Sequence, residues 1–146
     1  MNVIKQLEEI FNKNRDKRIL VIGTTCTGKT TFVEKIKNAH DMDKLIFPLL
    51  SKKEEEYVCS HPWTKEIGET MTRLTKERIK VEKGIPLFGT VLLDCDLIIY
   101  LKITDKLLKE RCSKRKADFE NAKNMQKMIL EEIEESQIPC IKITIE

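Results

Sequence analysis

Eight consecutive residues carry the clearest chemistry in this chain: Gly23-Thr24-Thr25-Cys26-Thr27-Gly28-Lys29-Thr30. They fit G-x-x-x-x-G-K-[ST], the phosphate-cradling P-loop pattern. Gly23 and Gly28 permit backbone angles that a side chain would block, so the loop can turn its N–H groups inward around an anion. A helix that begins near Lys29 would add its positive end at the same point. The residue types then assign themselves. Lys29 reaches outer phosphates as a point charge, and the Thr30 hydroxyl sits on Mg²⁺. With Thr31 just beyond, residues 23–31 form the expected nucleotide-binding set. The competing reading is a turn rich in glycine and threonine that happens to precede a lysine.

The flanks favour the phosphate reading. Ile19-Leu20-Val21-Ile22 is a short apolar run that reads as a buried strand. Residues 31–36 read as a helix with Phe32, Val33 and Ile36 on one face. Before them, Val3, Ile4, Leu7, Ile10 and Phe11 recur at helical spacing. After them, residues 38–43 read as a polar connection. Residues 44–50 read as a second strand, placed at a sheet edge because Pro48 removes a ladder donor. Ser51 and Glu54 have capping-box spacing. A helix is expected over 64–83, with Ile67, Met71, Leu74, Arg78 and Val81 on one side. Gly84 and Pro86 end it.

Residues 85–90 and 97–103 are two further apolar runs. The latter shows no alternation, as a strand buried on both faces should. A helix over 105–115 follows, and Asp118 opens another with the stripe Phe119, Ala122, Met125, Ile129, Ile133. The last strand, 140–145, alternates. Strands alternating with helices predict a parallel α/β sheet in a single domain spanning 1–146.

Composition narrows the classes. With 40% hydrophobic and 35% charged residues the 146-residue chain reads as globular. Its 27 basic and 24 acidic residues leave a net +3, which gives nucleic acid no support as a partner. The start lacks the apolar core of a signal peptide, and nothing is long enough to span a membrane. The five cysteines, 26, 59, 95, 112 and 140, are scattered and never form C-x-x-C, which fits reduced thiols in a cytoplasm.

Two blocks resemble the small P-loop nucleoside and nucleotide kinases, the adenylate-kinase-like and shikimate-kinase-like class. One is Ile19 through Thr31. The other is Cys95-Asp96-Leu97-Ile98-Ile99-Tyr100-Leu101-Lys102-Ile103-Thr104 with Leu107, Leu108, Arg111 and Arg115 after it. The resemblance implies a three-layer P-loop NTPase fold with strand order 2-3-1-4-5. It also implies ATP and Mg²⁺ as cofactors and a γ-phosphoryl transfer to a small-molecule acceptor that the sequence does not identify. Lys29, Arg111 and Arg115 would then be catalytic, the two arginines closing over the phosphates. The alternatives are a nucleotide-sensing module or a plain NTPase.

The chain departs from that family in three ways. No acidic residue stands clearly at a strand end beside the loop. Asp94 and Asp96 precede the fourth strand and so belong at its amino end, away from where parallel strands hold ligands. Asp41, Asp43 and Glu54 remain as weaker candidates. The lid is short, with only residues 113–117 before the next cap. No segment follows the fifth strand to hold an adenine. On the acceptor side, Arg73 and Arg78 either bind an anion or form a polar helix face. Trp63 stacks on a ring or simply packs, and His61 and Cys59 lack partners for a metal site. Cys26 is either a small filler in the loop or a thiol whose oxidation blocks nucleotide binding.

Overall fold

The computed structural model describes residues 2–60 and 64–146, so His61 and Trp63 lie outside the described residues. The first element is α1 (Val3–Lys13), capped by Asn2, whose Oδ1 accepts the Ile4 N–H. Its apolar stripe lies on the core, with Leu7 fully buried. β1 (Ile19–Ile22) is buried throughout and runs through the loop into α2 (Lys29–Lys35). β2 (His40–Asp41), α3 (Met42–Ile46), α4 (Lys52–Val58) and α5 (Lys65–Arg78) come next. β3 (Leu87–Gly89), β4 (Leu97–Ile103), α6 (Asp105–Arg115), α7 (Phe119–Ser136) and β5 (Cys140–Ile145) complete the fold. The expected capping box at α4 is present, and Thr104 and Asp118 cap α6 and α7.

The five strands form one parallel sheet in the order β2-β3-β1-β4-β5, with helices on both faces. Side chains of a strand alternate between faces, so a central strand with two covered faces must be apolar throughout. Ile19, Val21, Phe88, Ile99 and Leu101 share one core with Leu7, Leu108 and Cys112. Leu20, Ile22, Leu87, Ile98 and Tyr100 share the other with Met42, Ile46, Ile79 and Ile133. Burial of such side chains is the main stabilising term, about 2 kcal/mol each.

Two expected elements differ. Residues 44–50 are not a strand. They belong to α3 and a 3₁₀ turn, Phe47–Leu49. Asp41 Oδ1 accepts the Asp43 N–H at 3.0 Å and starts the helix. Met42 and Ile46, one turn apart, are then both buried. Pro48 occupies an early position in the 3₁₀ turn, where its missing N–H costs nothing. Pro48 therefore says nothing about the sheet edge. That place belongs to β2, inside the segment read as a polar connection. It pairs with β3 through His40 and Asp41, and the His40 N–H donates to Pro86 O at 2.9 Å.

The second difference is α5, which stops at Arg78 rather than near residue 83. Ile79 and Val81 are buried while Lys80 and Glu82 are exposed, an alternation of extended chain. Gly84, at φ 77°, turns that extended segment toward β3 rather than ending the helix. The link from β3 to β4 contains no helix, and its Leu93 and Cys95 are buried on the second core. Among the described residues, no helix is long and apolar enough to cross a membrane.

Candidate phosphate-binding site

The loop after β1 is built from its own hydrogen bonds. Thr27 Oγ1 donates to Thr24 O at 2.8 Å, and both threonines are fully buried. Thr24 Oγ1 donates to Ala122 O at 2.5 Å, which fastens the loop to the first turns of α7. Gly28 closes the loop at φ 94°, a conformation that a side chain would strain. A Cβ there would also stand 3.1 Å from Arg111 Nη1. Cys26 adopts φ 67° without being glycine.

Lys29 lies across this loop. Its Nζ donates to Gly23 O at 2.8 Å, to Thr24 O at 2.6 Å and to Thr27 Oγ1 at 2.9 Å. All three partners are neutral. Burial therefore lowers its pKa to about 8, although Asp43 and Asp41 pull the other way. Arg115 adds to the lowering, so its charge reaches the same place. An ammonium held by carbonyls and short of an anion is a charge ready to exchange those partners for phosphate oxygens.

The arginines of α6 divide. Arg111 Nη1 donates to Thr27 O at 2.8 Å and to Cys26 O at 3.4 Å, so it grips the loop from behind its carbonyls. Arg115, one turn on, is exposed, and its guanidinium takes part in no hydrogen bond or ion pair among the described residues. Thr30 and Thr31, in the first turn of α2, are exposed, and the Thr30 hydroxyl is likewise without a hydrogen bond. Thr25 is half-buried, its Oγ1 4.0 Å from Cys26 Sγ.

Of the candidate acids, Asp41 stands at the carboxyl end of β2. Asp41 is the last residue of that strand and sits in register with Phe88, while Ile22 is in register with Gly89. Gly89 makes this possible, since a Cβ there would fall 2.7 Å from Met42 Cε and push α3 away. The Gly23 N–H also donates to Gly89 O at 3.3 Å. Asp43 follows in α3, and its carboxyl is pushed up by partial burial and then by Asp41. Both aspartates act on Lys29. A strand of two polar residues has no hydropathic signal, which is why the sequence could name Asp41 as a candidate but not place it at a strand end.

The other candidates are occupied. Glu54 accepts from Arg78 Nη1 and Nη2, each at 2.7 Å, and from the Ser51 N–H at 2.8 Å. Arg78 first, and the Ser51 backbone second, draw the Glu54 carboxyl down to about 2. Arg73 pairs with Glu77 at 3.3 Å. Asp94 and Asp96 lie at the amino end, as their place before β4 predicts, where both bind Arg18. Among the described residues, no group of three or more metal-ligating side chains is assembled. Mg²⁺ commonly keeps several waters and leans on phosphate oxygens, so it needs no such cage.

No family model matches this chain, and neither does any curated protein.

Proposed function

We propose that this chain binds ATP and acts as a small-molecule kinase, moving the γ-phosphoryl group to a hydroxyl or phosphate of a small acceptor. One observation supports this above the others. Lys29 lies across the loop on neutral partners, within reach of the charges of the unpaired Arg115 and of Asp41 and Asp43. Phosphoryl transfer is catalysed mainly by positioning and by positive charge where negative charge develops.

In this reading the loop N–H groups and Lys29 hold the phosphates. Arg111 fixes the loop's shape and Arg115 swings over the transferring group. Asp43, whose carboxyl is pushed up by desolvation and then by Asp41, takes the proton from a hydroxyl acceptor. Thr30 and Asp41 are the residues that would hold Mg²⁺, which when bound neutralises charge on the outer phosphates.

The test is ADP release from Mg·ATP across a panel of metabolites. Acceptor-dependent ADP is expected. Lys29→Ala should abolish it while circular dichroism stays native, and Arg115→Ala should lower kcat by roughly 100-fold or more with a smaller change in KM. Turnover unchanged in Lys29→Ala sinks the assignment. ADP released without any acceptor would instead make the chain a plain NTPase, and bound ATP that is never turned over would make it a sensing module.

A further inference from the structure

We propose that the amino end of the sheet carries a second binding site, one for a small amphiphilic anion: an apolar ring system bearing a carboxylate or a like charge. A cavity of about 490 Å³ opens there, within the size range of small-molecule sites. It lies between the last turns of α1, the entry to β1, the exit from α2 and the turn at Gly84 that leads to β3. Ile19 opens β1 and lines the cavity, whereas the phosphate loop follows Ile22. The two sites are therefore roughly 10 Å apart along the strand, and this one does not depend on the nucleotide reading.

The floor is apolar and braced. Ile19, Ile36 and Pro86 are buried, and Phe11 and Ile85 are half-buried. The Phe11 ring meets the Phe88 ring edge-on, with centroids 6.3 Å apart, so it is held against the core rather than free to fall into the cavity. The rim is charged. Arg15, Lys17 and Lys37 stand there against one acid, Glu8, and all four are exposed. Among the described residues, the Lys17 and Lys37 ammonium groups have no hydrogen bond or ion pair, and the Arg15 guanidinium reaches only Asn12 Oδ1, at 3.0 Å. The nearby helix ends do not use these cations. Asn14 Nδ2 donates to Ile10 O at 2.8 Å, the Asn14 N–H to Phe11 O at 3.2 Å and the Ile36 N–H to Phe32 O at 3.0 Å. Arg18, by contrast, is answered by Asp94 and Asp96. Three cations against one acid favour an anion. The apolar floor selects one whose remaining surface is apolar, which a polyphosphate does not offer.

The experiment uses the full chain with anilinonaphthalene sulfonate as the anionic probe and phenylnaphthylamine as its uncharged counterpart. Both should bind the folded protein saturably. The amide signals of Phe11, Ile36, Gly84 and Ile85 should shift in nitrogen–proton correlation spectra, while those of residues 23–30 stay in place. Lys17→Glu with Lys37→Glu changes only exposed side chains. It should weaken the sulfonate roughly tenfold and leave the amine within about twofold. Ile85→Trp fills the cavity and should weaken both probes, and if that variant unfolds, the charge reversal and the amide shifts decide. Saturating Mg·ATP should displace neither probe. Five results overturn the inference: no saturable binding to folded protein, amide shifts confined to other residues, displacement by ATP, an equal response of the two probes to the charge reversal, or unchanged binding in folded Ile85→Trp.

Discussion

The two ends of the sheet hold the same kinds of residue and use them differently. At the amino end, Arg18 meets Asp94 and Asp96, two aspartates with one residue between them. At the carboxyl end, Lys29 faces Asp41 and Asp43, with the same spacing. Arg18 is saturated. Its side chain reaches Asp96 at 3.1 and 3.3 Å and Asp94 at 3.0 Å, and its own N–H donates to Asp96 Oδ2 at 2.8 Å. Asp96 and then Asp94 raise its pKa further above an already high value. Lys29 has no such partner in contact, and its pKa falls to about 8. A cation whose partners are complete can only hold structure. One left on neutral carbonyls stores a charge for something that arrives.

Replacing Lys29 should erase this contrast between the ends. Lys29→Met should lower ATP affinity by roughly 100-fold or more, read by calorimetry, because the loop loses its point charge. The same change should raise the stability of the ligand-free protein, by about 1–2 kcal/mol at pH 7 in a denaturant titration, because a desolvated ammonium is gone. A drop in both would mean that Lys29 is a structural cation like Arg18.

The next largest effect is on pH dependence. A pKa of about 8 means that Lys29 is charged in the free protein below pH 8 and loses its proton as pH rises through that value. Bound phosphate favours the charged form, so ATP binding takes up a proton above pH 8. Affinity should be flat between pH 7 and 8 and then fall by up to about tenfold per pH unit. Lys29→Arg should bind with a flat profile across the same range, since a guanidinium keeps its proton.

The smallest effects belong to the amino end. Asp96, 38% exposed, ties the backbone of Arg18 to the start of β4, whereas Asp94 is 87% exposed and holds only one guanidinium nitrogen. Asp96→Asn should lower the melting temperature by a few degrees, and Asp94→Asn should leave it within error. Neither should alter ATP affinity. Arg18 holds the Asp96 carboxyl below its ordinary pKa. That stabilisation is present above about pH 4 and is lost as pH falls through the lower folded value, so the wild type and Asp96→Asn should converge in acid.

Much of this was legible in the chain, for physical reasons that also explain the failures. The loop motif, β4, α6 and β5 announce themselves because each satisfies one local rule: a glycine turn, an unbroken apolar run, apolar residues at helical spacing, an alternation. The apolar run at 44–50 obeyed a local rule as well, but Asp41 had already started a helix two residues earlier. Val81 fell on the helical stripe by count, though in the structure it alternates with Ile79 about the exposed Lys80. What no local rule contains is pairing across the sheet. The edge place of β2, the grip of Arg111 on Thr27 O and the bond from Thr24 to Ala122 all join residues far apart in sequence. The place of Asp41, a candidate acid, was hidden in the first of these.

The helix-free link from β3 to β4 has a mechanical consequence. Residues 90–96 must cross beneath β1 from the carboxyl to the amino end, a diagonal of roughly 16 Å, on a tether of about 25 Å at full stretch. Leu93 and Cys95 are pressed into the core along the way, which takes up much of the slack. β3 and β4 therefore cannot slide past one another, and the acid side and the loop side of the site ride on one rigid plate. Any closing over a ligand has to come from helices hinged at the rim of that plate, and α6, with Arg115 on its last turn, joins α7 in already touching the loop.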